Sequence, residues 1–155
     1  MFKFDLITED SPELAQQVKS LRLKRADARE VAAFSVLDTP EVISQAMKDS
    51  VYVWAISDDK EVVGVCGLSE GGGWGIPWLL TSESINKQKK LFARLSKQAL
   101  EQFLELYPNL CNFVDYRHKT TLRWLRWLGF KIEETNTRFH DPLVPFYRFY
   151  ISREG

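Results

Sequence analysis

Apolar and polar positions along this chain repeat with two periods, and the switches between them mark out a series of elements. Residues 2–6 alternate weakly and predict a first strand. Ser11 and Pro12 open a helix, Ser11 as N-cap and Pro12 at the first helical position, where its missing N–H is one the helix leaves unpaired anyway. The charged, Ala-rich residues 26–36 predict a second helix, and Thr39 with Pro40 starts a third that is capped by Thr39 and ends near Asp49. β-Branched and aromatic residues 51–56, a polar turn at 57–60 and the run 61–68 predict an antiparallel hairpin. Gly71-Gly72-Gly73 breaks the chain before another apolar run at 74–80.

Residues 84–106 carry the longest helical pattern, with Ile85, Leu95, Ala99, Phe103 and Leu106 near one face. A short strand at 110–114 and a short helix at 120–128, closed by Gly129, follow it. Runs at 130–135 and 146–151 predict a last hairpin, and the loop 138–145 between them is longer than a hairpin needs. The order β-α-α-α-β-β-β-α-β-α-β-β predicts a single α/β (α+β) domain over 1–155, with a mostly antiparallel central sheet and flanking helices.

Composition narrows the function classes. Apolar residues make up 45% of the 155, enough for one core. Lys plus Arg and Asp plus Glu each total 21, and a zero net charge removes the electrostatic case for a nucleic-acid partner. No apolar run approaches the roughly 20 residues of a membrane-spanning helix. The start of the chain lacks the basic and apolar regions of a secretion signal, so a cytoplasmic location is expected. Cys66 and Cys111 are too few for a disulfide framework, and with His118 far from His140 no zinc-type cluster and no metal are expected.

The stretch from Val114 to Phe130 resembles the strand-to-helix motif of GNAT-type N-acetyltransferases, V-x-x-x-N-x-x-A-x-x-x-Y-x-x-x-G-F. Val114, Gly129 and Phe130 match, while His118, Thr121 and Leu125 stand at the Asn, Ala and Tyr positions. The chain also resembles, more closely, the small internal virion protein family of short-tailed coliphages and its prophage relatives, which look like GNAT domains. That likeness is carried by Leu21-Arg22, Ala26-Asp27-Ala28-Arg29-Glu30, Trp78-Leu79-Leu80-Thr81-Ser82-Glu83-Ser84-Ile85, and Asn112-Phe113-Val114 running into Leu128-Gly129. It implies a phage or prophage protein in the host cytoplasm or the virion, binding a phage or host protein during assembly and transferring acetyl groups weakly or not at all. The wider resemblance implies an acetyl-CoA-dependent N-acetyltransferase with a divergent phosphate loop. A third reading is a homo-oligomeric scaffold joined through exposed tryptophans.

The GNAT resemblance also implies where a cofactor would lie. The free backbone of a splayed strand, here Leu79, Leu80 and Thr81, holds the pantetheine arm, so the strands at 74–80 and 110–114 are expected to part. A loop reading Q/R-x-x-G-x-G/A then wraps the pyrophosphate at a helix start, with Ser82, Ser84, Lys87, Gln88 and Lys89 as donors. The best register, Gln88 to Ala93, puts Leu91 where a glycine lets phosphate approach the backbone. Against that, Lys87, Lys89 and Lys90 crowd the early helix, where the dipole disfavours cations and a bound anion would offset the cost. A solvated basic face balanced by Glu83 and Glu101 is the alternative.

Acetyl transfer to an amine needs a base and often a tyrosine acid. Leu125 occupies the tyrosine position, which leaves Tyr116 as a substitute. Glu70 and Asp115 are base candidates, each also readable as a solvated loop carboxylate, and His118 is by residue type a proton carrier, or else a plain helix cap or surface residue. Asp27 and Glu30, three residues apart on one helix face, suit a cationic amine or simple pairing with Lys24, Arg25 or Arg29. Trp74, Trp78, Trp124 and Trp127 are expected to pack rather than to form a stacking platform.

Overall fold

A computed structural model describes residues 1–153. The elements are β1 (Lys3–Leu6), α1 (Pro12–Lys19), α2 (Arg25–Phe34), α3 (Thr39–Asp49), β2 (Tyr52–Ser57), β3 (Val62–Gly71) and β4 (Trp74–Thr81). After them come a 3-10 turn (Glu83–Gln88), α4 (Lys89–Leu106), β5 (Asn109–Asp115), α5 (Lys119–Leu128), β6 (Lys131–Thr137) and β7 (Phe146–Ser152). The order and the α+β class are those the sequence patterns predict. The strands form one sheet, β1-β2-β3-β4-β5-β7-β6, antiparallel except between β4 and β5.

Strand alternation sends Val65 and Leu68 of β3 to opposite faces, and each face has its own helices. Val18 of α1 and Ile43 of α3 pack with Val53, Ala55 and Val65 on one side. Leu100 and Leu104 of α4 and Leu122, Leu125 and Leu128 of α5 pack with Leu68, Leu110 and Val114 on the other. The tryptophans mostly pack, as expected: Trp54 stacks on Phe103 at 5.3 Å, Trp124 on Phe92 at 6.3 Å, and Trp78 Nε1 donates to Ser50 Oγ at 2.8 Å. Trp127 is the exposed one, with Lys97 Nζ 4.5 Å from its ring centre.

Helix starts depart from the sequence reading in three places. Asp38, not Thr39, caps α3: its carboxylate accepts from Glu41 N–H at 3.0 Å while Glu41 accepts from Asp38 N–H at 3.4 Å, a capping box. Ser11 makes no cap bond, because its hydroxyl is turned back to Thr8 N–H at 3.3 Å. The long helix begins at Lys89 rather than behind Ser84, since residues 83–88 wind as a 3-10 turn after Ser82. Asp38→Ala is expected to cost about 1 kcal/mol, seen as a lower urea midpoint with an unchanged slope.

Parallel pairing of β4 with β5 is confined to Gly75 opposite Leu110. A Cβ on Gly75 would lie 2.8 Å from Leu110 Cδ2 and 2.9 Å from Tyr107 Cβ, so this approach needs a glycine. Beyond that rung the two strands part, which is the splay the resemblance implies.

Candidate active site

Two ties frame the gap between β4 and β5. Asn112, the polar residue inside the apolar run of β5, donates from Nδ2 to Pro77 O at 2.7 Å across it. Pro77 lacks an N–H and loses nothing on an edge where the ladder has ended. At the far end α2 docks on Thr81: Lys24 N–H donates to Thr81 O, and Thr81 N–H to Asp27 Oδ2, each at 2.9 Å. Pro77 and Thr81 thus address the same edge, and the two-residue strand repeat turns the N–H of Leu79 to it as well. A cavity of about 600 Å³ passes through the gap, lined by Lys89 and Phe92 from α4, by Leu79, Leu80 and Thr81, and by Glu30 from α2.

The helical spacing of α2 sends one carboxylate to each parted strand. Asp27, buried, accepts from Thr81 N–H, from Thr81 Oγ1 at 3.1 Å, and from His118 Nε2 at 2.9 Å. His118 Nε2 also lies 3.1 Å from Thr121 Oγ1 and 3.9 Å from Glu30 Oε2. Glu30 Oε1 accepts from Asp115 N–H at 3.3 Å. Burial pushes the Glu30 carboxyl up to about 7, outweighing the nearby His118 and the Asp115 N–H, which pull it down. The sequence offers no metal cluster, yet the fold brings ligand-type atoms of Asp27, Glu30 and His118 within 4.8 Å of one another. Hydrogen bonds already engage Asp27 and His118 Nε2, so the set reads first as a polar network.

The other acid and base candidates fall elsewhere. Asp115 is buried and gripped by Arg117, Nη2 to Oδ2 at 2.6 Å and Nε to Oδ1 at 3.0 Å, which holds the guanidinium above its ordinary value. Such an ion pair fixes a turn and leaves no free base. Tyr116 packs against Tyr147 with ring centres 6.2 Å apart and has Lys119 Nζ 5.7 Å from its own. Glu70 is exposed near the end of β3, opposite Gly75 and outside the cavity lining. His118 stands at the N-cap of α5 but makes no cap bond, because its ring turns inward to Asp27.

The α4 end is cationic and suited to an anion. Gln88, the N-cap, makes no side-chain bond, and the first turn of α4 holds no acidic residue. α4 follows the 3-10 turn without a break, and its start, the positive end of the helix dipole, carries Lys89 and Lys90. Leu91 packs its side chain with Phe2, Ile56 and Ile85, which removes it as an obstruction over that start. Ser82 Oγ is buried with no hydrogen-bond partner among the described residues, whereas Ser84 Oγ reaches Glu61 at 3.5 Å. Neither expected counter-charge faces the lysines. Glu83 accepts from Arg25 N–H at 3.2 Å and Asn86 Nδ2 at 3.0 Å, and Glu101 pairs with Arg153 at 2.9 Å. Lys87 is near Asp58.

No family model matches the chain, and no curated protein matches it by sequence. Solved structures match its fold along nearly the whole length. A protein from Streptococcus mutans superposes with a TM-score of 0.72 at 16% identity, over 97% of this chain and 98% of its own. A protein assigned to the GNAT acetyltransferase family from Desulfovibrio desulfuricans gives 0.68 at 12%, over 98% and 99%. Spermidine N-acetyltransferase from Vibrio cholerae, solved with CoA and spermine, gives 0.68 at 15%, over 97% and 94%. At these identities the likeness establishes a GNAT-like fold and not an activity. These matches carry nothing of a virion role. No described helix is long and apolar enough to cross a membrane.

Proposed function

We propose that this protein is an acyl-CoA-dependent N-acyltransferase. One observation carries the reading: a single cavity joins a carboxyl group with a pKa of about 7, Glu30, to a lysine-bearing helix start, through a parted pair of strands. The thioester of the bound donor supplies the acyl carbon. Lys89, the positive end of the α4 dipole and the unpartnered Ser82 hydroxyl fit its phosphates. The slot-facing N–H of Leu79 fits the carbonyl oxygen on which charge develops. Glu30 takes the proton from the attacking amine, and a carboxylate tuned near neutral pH suits that role. Asp27 holds α2 against Thr81 of β4 and His118 at the start of α5, and so positions Glu30. Leu125, at the usual tyrosine position, is buried in the core, so the leaving sulfur meets no side-chain acid there.

One observation favours the alternative of a binding domain with little transfer, the role the virion-protein resemblance implies. Thr81 already commits its backbone N–H and C=O to α2, which shortens the open edge of β4. Titration calorimetry with acetyl-CoA separates the two. Binding is expected, weakened about tenfold or more by Lys87→Glu with Lys89→Glu, since each removes an attraction and adds a repulsion. No heat at millimolar-order donor discards the acyltransferase reading.

A further inference from the structure

The α2 end of the cavity has a chemistry of its own. Phe34, the last residue of α2, meets Phe139 of the β6–β7 loop with ring centres 4.8 Å apart. Phe139 in turn meets Phe146 at 4.9 Å and Phe113 at 5.7 Å, each edge to face. Phe34 is 49% exposed and Phe139 38%, so two rings of this group remain partly open to a visitor. Phe34 and Phe113 line the cavity together with Glu30. The loop that brings Phe139 is not a loose flap. Asp141 N–H donates to Ala33 O at 3.0 Å, Leu143 N–H to Asp141 Oδ1 at 2.9 Å, and Arg138 bonds Pro142 O and Asn136.

Charge around this aromatic mouth is sparse and of mixed sign. Asp27 and Glu30 are the acidic residues in the cavity lining, and Asp27 is occupied by Thr81 and His118. One carboxylate is therefore left for a cation. Arg117 and Arg138 lie on the flanking segments, and Arg117 is close enough to Asp141 to feel its charge. A chain bearing several ammonium groups would find one uncommitted carboxylate in the cavity and two lysines, Lys24 and Lys89, in its lining. An aromatic body with a single amine would find rings to stack on and one carboxylate for its nitrogen.

On the acyltransferase reading above, we infer that the acceptor is a primary monoamine on an aromatic or bulky apolar body, seated against Phe34 and Phe113 with its nitrogen at Glu30. In the transfer the acceptor nitrogen bonds to the acyl carbon and the carbon–sulfur bond breaks. One ammonium proton goes to Glu30 and on to solvent, and the second leaves with sulfur as the thiol. Selectivity comes from the mouth, because a polyamine pays for charges that have no partner there.

The test pairs direct binding with turnover, using the full chain at about pH 8, above the Glu30 value of about 7. Phenethylamine is expected to bind the protein alone. With acetyl-CoA present it should be acetylated with a kcat/KM about a hundredfold or more above that of spermidine. Phe34→Ser, at a half-exposed position that tolerates polarity, should weaken phenethylamine about tenfold and leave the acetyl-CoA Kd unchanged. Spermidine turning over as well as phenethylamine would overturn the substrate assignment and leave the acyltransferase reading standing. Phenethylamine that fails to bind, or binds equally well to the Phe34→Ser protein, overturns the assignment however the acetyl-CoA titration falls. Phenethylamine binding that Phe34→Ser weakens, with acetyl-CoA silent, would support the aromatic amine site and sink the acyltransferase reading.

Discussion

Glu30→Gln is expected to lower amine acetylation by about a hundredfold or more and, above about pH 7, to make the folded protein more stable. Both effects come from one cause. The Glu30 carboxyl is pushed up to about 7 from 4.5 because burial penalises its charge. The folded protein therefore keeps this proton over a range in which the unfolded chain has given it up. The stabilisation this provides is full below about pH 4.5 and is lost as pH rises through about 7. Glutamine cannot ionise and carries no such penalty. At about pH 8 the variant should gain on the order of 3 kcal/mol over the parent, while at about pH 4 the two should nearly coincide. Transfer by the parent should rise with pH through the same value, as expected for a base that must be ionised. Urea midpoints at the two pH values, read beside the transfer rate, check both halves. An intact rate in a stabilised Glu30→Gln protein would move the base elsewhere.

Asp27→Ala is expected to have the largest effect on folding, about 3 kcal/mol of lost stability and a melting temperature lower by roughly 10 °C. The carboxylate serves three donors, and removing it takes the buried partner from Thr81 N–H and Thr81 Oγ1 and leaves His118 Nε2 with Thr121 Oγ1 alone at hydrogen-bond distance among the contacts described. Asp27→Asn keeps one carbonyl oxygen for Thr81 and should lose about half as much. Thermal unfolding of the two variants gives the ranking. Equal, small losses would mean that water replaces the carboxylate and that α2 is not held by it.

The element order was readable in the sequence because most helices and strands here bury one regular stripe, as Leu122, Leu125 and Leu128 do on α5. Local hydrogen-bond competition was not readable. Nothing in the pattern tells whether Asp38 or Thr39 caps α3, or that Ser11 prefers Thr8 to its own helix. In the site, the three-residue spacing of Asp27 and Glu30 announced a shared face but not that the face would reach Thr81 and Asp115 from across the fold. The sequence points to Asp115 and Glu70 as bases and to Glu30 only as a grip for a cationic amine, because a carboxylate's neighbours decide its chemistry and those neighbours are distant in sequence. Arg117 disarms the first, and solvent surrounds the second. Asn112 did leave a trace, an amide inside an apolar strand, which is the kind of break that calls for a partner.

The solitary rung between Gly75 and Leu110 has a mechanical meaning. It makes the sheet two leaves on one spine, β1 to β4 on one side and β5 to β7 on the other. Away from the spine, side chains and not the backbone ladder set how wide the leaves stand: Asn112 on Pro77, and α2 stitched to one leaf by Asp27 and to the other by Glu30. The hydrogen bond from Asp115 N–H to Glu30 is therefore a hinge pin on the α2 side, one of the few ties that fix the span of the opening.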